Sequence, residues 1–328
     1  MPEGHSVHRI ARQFDRNFVG HRVAVSSPQG RFVEGAALID GLEMRRAMAV
    51  GKQMFLEFDG EAWLRVHLGL YGAWDFSGEI LVDPTIASAN GRMGQTNQRG
   101  TDPVYDEAGE NSLASIGAPR KARAHVRMSE QTKDLDDGDE WPPPVVGQVR
   151  ARLMTGSTCA DLRGPTACAV ETPDQIQTVL DRLGPDPLVG DPAENEQRFV
   201  DAVSKRGVAI GQLLMDQSVA SGIGNVYRAE MLFRANLDPH VPGKMIPEEI
   251  VRELWRDWSR LLTIGVDTGQ MMTIDGLEGD EWRRAMASRD DRHWVYHRAG
   301  LPCRVCGTEI LLEEMQARKL YWCPTCQR

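Results

Sequence analysis

The chain predicts a multidomain α+β protein: an N-terminal β-sandwich that carries an N-terminal helix, then a helical region, then a small metal-stapled ribbon. Three observations carry that expectation. Short strand-like stretches between residues 22 and 68 are punctuated by Gly51, Gly60 and Gly69, with no crossover helix of βαβ type between them. Helical patterns dominate after Leu183. Four of the six cysteines fall in two Cys-x-x-Cys pairs near the C-terminus, a metal pattern more than a disulfide framework.

At 328 residues the chain is long enough for two cores, and 41% hydrophobic with 26% charged residues is the composition of an ordinary globular protein. No apolar run approaches the roughly 20 residues that span a bilayer, and the start lacks the layout of a signal peptide, so a cytoplasmic protein is expected. The net charge of −9 argues against nucleic acid only if it is taken whole. Residues 83–140 hold eleven acids against seven bases, whereas residues 283–328 hold nine bases against five acids. A basic module on an acidic chain is compatible with a local phosphate-binding surface.

The first element starts at Pro2. Trimming of Met1 would leave a proline terminus, whose nitrogen is a secondary amine and a good imine-forming nucleophile; an α-amino group titrates near pH 8, so part of it is unprotonated at neutrality. Glu3 sets a carboxyl group beside it, the pairing that covalent catalysis requires, although Met-Pro-Glu is also an idle way to begin a protein. Val7, Ile10, Ala11, Phe14 and Phe18 recur at helical spacing and predict an amphipathic helix from Glu3 to Phe18.

Strands are expected at 22–26, 44–50, 52–58 and 62–68. Lys52 opens the third, just after Gly51 in a hairpin bend; taken alone it reads as a solvated edge lysine, and the alternative is an amine reaching from a rigid strand edge. From about 83 to 144 the chain turns rich in Gly, Ser, Asn and charge and predicts a disordered insertion without a structural job. Strand texture returns at 147–153, 158–162 and 167–171. Cys159 and Cys168 read as small buried hydrophobes.

A helix is expected over 174–183, and Leu183-Gly-Pro-Asp-Pro-Leu188 then reads as a stiff linker. Helices follow at 194–205, 210–219, 226–235 and 247–262, the last with Leu254, Trp255, Trp258 and Leu262 on one core-facing side. Ser221-Gly-Ile-Gly-Asn225 is a tight turn that would bring backbone N–H groups and the Asn225 amide to a phosphate, or merely let two helices fold back. Cys303, Cys306, Cys323 and Cys326 have the spacing of a tetrahedral structural zinc site, with four sulfurs and no open position for a catalytic metal. Arg318 and Lys319 lie at the turn of the ribbon between the pairs, presented outward as phosphate ligands.

This order of motifs resembles one family, the formamidopyrimidine-DNA glycosylase and endonuclease VIII family, in its actinobacterial-type endonuclease VIII-like branch. The resemblance rests on Met1-Pro-Glu-Gly4, Gly51-Lys52, His67-Leu-Gly-Leu-Tyr71, Leu183-Gly-Pro-Asp-Pro-Leu188, the run from Asp216 to Tyr227, and Cys323-Pro-Thr-Cys-Gln327. It implies a catalytic β-sandwich over 1–183, a linker at 184–188, a helix-two-turn-helix domain over 189–295 and a zinc finger over 296–328. It further implies a monomer that takes damaged DNA in the cleft between its halves.

By the same resemblance Pro2 is the Schiff-base nucleophile at C1′ and Glu3 the acid that assists base loss. Lys52 serves β-elimination, Arg318 serves δ-elimination and Asn225 holds a phosphate. The flipped nucleotide leaves a gap for apolar wedges, for which Leu70 and Tyr71 are candidates, Leu70 being equally suited to plugging the core. The Leu-Tyr pair points to oxidised pyrimidines, and oxidised purines are the alternative. Three positions depart from family patterns: Gly69 stands for a glutamine, Gly211 for a lysine, and Asp161-Leu-Arg163-Gly replaces the arginine pair of the purine branch, leaving Arg163 as the opposite-strand contact. Two rival readings are a DNA-binding relative that has lost activity and a zinc-ribbon interaction protein.

Overall fold

The computed structural model describes residues 2–81, 115–117 and 141–328. Two antiparallel sheets face each other. One has five strands in the order β1-β7-β8-β5-β6, formed by Ala24–Ser26, Ala151–Met154, Thr158–Arg163, Ala73–Gly78 and Ser115–Gly117. The other has four in the order β2-β3-β4-β9, formed by Met44–Val50, Gln53–Phe58, Ala62–His67 and Ala167–Glu171.

Helix α1, Gly4–Asn17, lays its apolar stripe into the same core. Val7, Ile10, Phe14 and Phe18 are buried with Leu56, Leu64 and Val66 of one sheet and Trp74, Phe76, Leu153 and Leu162 of the other. Phe14 meets Trp74 edge to face at 4.7 Å, a geometry favoured by the ring quadrupoles. The N-terminal end of the helix is thereby fixed by a core several residues away.

Part of the 83–144 stretch has structure. Residues 115–117 pair with β5 as its edge strand, and the carbonyls of Pro143 and Pro144 accept from the buried Arg152 guanidinium at 2.6 and 3.3 Å. The expectation of an idle insertion is corrected for those residues, and the rest of it lies outside the described ones. A short helix α2, Val33–Ile39, and strand β5 were not expected, although Trp74 and Phe76 alternate inward with Asp75 and Ser77 between them.

Beyond helix α3, Pro173–Leu180, and the 183–188 segment, a second core gathers α4 (Pro192–Ser204), α5 (Ile210–Leu213), α6 (Asn225–Arg234) and α7 (Glu248–Thr268). Trp255 and Trp258 are 3% and 0% exposed, which makes them core and not ligand platforms. The helix expected over 210–219 stops at Leu213 because Asp216 turns the chain: its carboxylate accepts the Ser218 N–H at 2.9 Å and pairs with Arg206 at 2.8 Å. Helix α7 runs on to Thr268 and ends at left-handed Gly269. Helix α8, Gly279–Ala287, was also unexpected.

The C-terminal ribbon pairs β10, Leu311–Met315, with β11, Arg318–Trp322, through a two-residue turn in which Gln316 and Ala317 have φ of 51° and 55°. Its inner face packs Ile310, Tyr321, Cys303 and Cys323 on Ala229 and Phe233 of α6. Among the described residues no helix is long and apolar enough to cross a membrane.

Candidate active site

Three backbone segments from distant parts of the chain meet at glycines. Gly4 donates its N–H to the Gly222 carbonyl at 2.9 Å, and a methyl group on Gly222 would lie 3.3 Å from the Gly4 Cα and 3.4 Å from the Gly51 Cα. Only residues without a Cβ permit this approach. The start of α1, the β2–β3 turn and the 217–224 turn are consequently packed backbone to backbone.

Glu3 is buried at this junction. Its Oε1 accepts the Val226 N–H at 2.9 Å, and its Oε2 accepts those of Gly224 at 3.0 Å and Tyr227 at 3.4 Å. These are the unsatisfied donors of the first turn of α6, and the positive end of the helix dipole favours a carboxylate there. The expectation that the Gly-rich turn aims its N–H groups at a phosphate is corrected: they hold Glu3. A side chain at Gly224 would overlap that carboxylate. Pro2 is buried beside it at the entry to α1.

Lys52 lies on the same junction and is no solvated edge lysine. Its Nζ donates to the Ile223 carbonyl at 2.6 Å. Burial lowers it from 10.5 to about 8, the neighbouring Glu3 opposing and Arg318 adding to the shift. The turn that carries Lys52 is pinned by Asp186, whose Oδ2 accepts the Gly51 N–H at 2.6 Å and bonds His8 Nε2 at 2.8 Å while its Oδ1 accepts the Leu188 N–H at 2.9 Å. One carboxylate from the 183–188 segment thus ties that segment to α1 and to the lysine turn.

Helix α6 carries the other contacts. Asn225 opens it. Arg228 is 1% exposed and donates to Asn225 Oδ1 at 3.3 Å, the Lys319 carbonyl at 2.8 Å and the Gly211 carbonyl at 3.4 Å. Glu230 accepts the N–H groups of Trp294, Val295 and Tyr296 at 2.8 to 2.9 Å. Arg318, exposed at the ribbon tip, lies close enough for its charge to act on both Lys52 and Arg228.

The four cysteines suit a metal. Cys303 Sγ is 3.9 Å from Cys326 Sγ, Cys306 Sγ is 3.5 Å from Cys323 Sγ, and all four sulfurs lie within 4.8 Å of one another. A tetrahedron of thiolates about 2.3 Å from zinc has edges of about 3.8 Å, so zinc fits.

Leu70 and Tyr71, on the turn between β4 and β5, are 50% and 79% exposed, so Leu70 is no core plug. Gly69 before them has φ +65°, and a Cβ there would overlap Thr166 Oγ1, so any side chain would be strained and would displace Thr166. A Cβ at Gly211 would lie 2.9 Å from Met315 Sδ and 3.1 Å from the Pro239 carbonyl, so a lysine there would require the ribbon side chain to shift. The Arg163 guanidinium is held by Asp75, by Asp161 at 3.1 Å and by the Val146 carbonyl at 2.9 Å, inside the sheet.

The chain matches the Formamidopyrimidine-DNA glycosylase N-terminal domain over residues 1–159, the Formamidopyrimidine-DNA glycosylase H2TH domain over 183–275, and the zinc finger found in FPG and IleRS over 300–328. It is 35% identical over 327 residues to Endonuclease 8 1 of Mycobacterium tuberculosis, covering 100% of both chains. The chain belongs to the formamidopyrimidine-DNA glycosylase and endonuclease VIII family, the DNA glycosylases and AP lyases of base-excision repair.

Formamidopyrimidine-DNA glycosylase of Heliobacterium modesticaldum is 36% identical over 147 residues, which cover 45% of this chain and 51% of that one. Among solved structures, Lactococcus lactis Fpg in complex with DNA containing N7-benzyl-Fapy-dG superposes with a TM-score of 0.67 at 17% identity over 100% of both chains, a likeness of fold. In this family member, sequence reasoning missed Asp186, Arg228 and Glu230. Asp186 lay within a motif already singled out, but nothing in a linear pattern says that a linker carboxylate meets a turn 135 residues earlier.

Proposed function

We propose that this glycosylase excises oxidised bases, pyrimidines favoured, and then cuts the strand by β,δ-elimination through a covalent bond between Pro2 and the sugar. The observation that carries this reading is the convergence of Glu3, Lys52 and the first turn of α6 on the Pro2 end of α1. With Met1 removed, the Pro2 lone pair attacks C1′ and the base leaves with a proton. Opening of the C1′–O4′ bond then gives an iminium ion and a protonated O4′, with Glu3 as the acid at this stage.

A secondary amine yields an iminium that cannot discharge by losing an N–H proton, so it draws electrons from the C2′–H bond. Loss of that proton expels the 3′ phosphate, and a second elimination expels the 5′ phosphate. Lys52, held near neutral titration, is suited to moving protons in these steps. Asn225 and Arg318 bind phosphate, and the exposed Leu70 and Tyr71 fill the gap that the flipped nucleotide leaves.

This chemistry supplies its own electron sink, and zinc is assigned one structural site with no catalytic metal. The pyrimidine preference is supported by the full-length similarity to an endonuclease 8 and by the engagement of Asp161 with Arg152 at 2.7 Å where the purine branch has arginine. We assign a monomer, with damaged DNA as its partner. The test is borohydride trapping on an abasic-site duplex, followed by a panel of single-lesion oligonucleotides. Native protein should form the adduct and prefer oxidised pyrimidines, whereas Pro2→Gly or an N-terminal tag should abolish or severely impair trapping. A tagged protein with full lyase activity would remove Pro2 from the mechanism.

A further inference from the structure

Arg228 is a buried cation whose hydrogen-bond acceptors are all neutral oxygens, with the Glu3 and Glu313 carboxylates acting on it only from a distance. Its three acceptors are the Asn225 side-chain oxygen and the carbonyls of Gly211 and Lys319. Among the described residues its partners include no carboxylate, and its Nε has no hydrogen-bond partner. Burying an unpaired guanidinium is costly, so a fold that retains one at 1% exposure gains something elsewhere.

Two consequences follow from its geometry. A guanidinium only donates, so the Asn225 amide must turn its oxygen toward Arg228 and its NH₂ the other way. The bond to the Lys319 carbonyl fixes the residue next to Arg318 to the helix on which Asn225 sits. We infer that Arg228 is a positioning residue: it sets the Asn225 amide with its donors outward for a DNA phosphate and ties the Arg318-bearing ribbon tip to α6. This inference rests on the phosphate-binding roles proposed above for Asn225 and Arg318. Arg228 stays protonated at neutral pH, since burial lowers it only to about 10.

A double-mutant cycle tests it, with affinity for a tetrahydrofuran-containing duplex and the ratio of β to β,δ products as readouts. Arg228→Met should weaken binding by about tenfold and raise the share of β product, but in an Asn225→Ala background it should add less than about threefold to the loss of affinity. Full additivity of Arg228→Met and Asn225→Ala overturns the proposal. Asn225→Asp supplies a readout that a purely structural role would not move. The new carboxylate would pair with Arg228 and raise the melting temperature, yet present oxygen to the phosphate and weaken binding below that of Asn225→Ala. A melting temperature unchanged or lowered by Asn225→Asp counts against the proposal. Should Arg228→Met fail to fold, the cycle is run with Arg228→Lys, which keeps the charge but lacks the planar guanidinium and the second nitrogen that donates to the Gly211 carbonyl. The underlying function fails differently, through absence of a borohydride adduct in the native protein.

Discussion

Asp186 accepts the backbone N–H of Gly51 at 2.6 Å in a buried bond that crosses from the 183–188 segment to the turn carrying Lys52. The same carboxylate holds His8 of α1, so the helix that Pro2 precedes and the lysine turn share one anchor. Asp186→Ala should leave the Gly51 and Leu188 N–H groups without their acceptor and cost about 2–4 kcal/mol, an amount measurable by urea denaturation. Strand cleavage should fall further than DNA affinity, because the displaced group is Lys52. Equal losses in both would show that Asp186 does not act through the lysine turn.

Lys52 sets a pH dependence. Its folded value of about 8 lies below the ordinary 10.5, so between those limits the unfolded chain binds more protons and stability rises with pH. Below pH 8 the buried ammonium weakens the fold by its full amount. Lys52→Met should accordingly be stabilised relative to native protein at pH 7 and lose that advantage by pH 10.5. If the ammonium donates protons during elimination, native strand cleavage should decline through pH 8. Calorimetry and single-turnover cleavage across pH 6 to about 10.5 check the two claims separately.

Leu70 and Tyr71 are exposed at 50% and 79%, so removing them should cost the fold less than about 0.5 kcal/mol. The paired substitution Leu70→Ala and Tyr71→Ala should reduce excision from duplex at least tenfold. It should leave single-stranded substrate nearly unaffected, since only a duplex has a stack to fill. Comparable loss on both substrates would argue against the wedge role.

Zinc removal should act beyond the ribbon. Cys303 and Cys323 pack with Ala229 and Phe233 of α6, the helix whose first turn holds Glu3. Cys303→Ala, or chelation, should lower the melting temperature by several degrees and weaken DNA binding together. A variant that loses zinc and keeps native affinity would show that the ribbon tip contributes no phosphate contact.

Periodicity and glycine punctuation made most elements legible. The apolar spacing of α1, strands β2 to β4, the tryptophan face of α7 and the zinc knuckles could be read directly, since each depends on residues near one another in sequence. Elements with short or mixed patterns were not, such as α2, α8 and the truncated α5. The candidate residues Glu3, Lys52 and Asn225 were legible as residue types, but their partners were not. Backbone N–H groups that looked ready for a phosphate prove to be held by Glu3 from the far end of the chain. The pairing of Arg163 with Asp75 and Asp161 was likewise not legible in the sequence.

The sequence by itself determined the α+β class, the metal ligands and the chemistry available at Pro2, because propensity, ligand spacing and nucleophilicity are properties of neighbouring atoms. Only the tertiary structure decided that Gly4, Gly51 and Gly222 meet, that Asp186 braces Lys52, and that Arg228 is buried beneath Asn225. Those relations join residues up to 218 positions apart, and close packing between such segments leaves no periodic trace in either one.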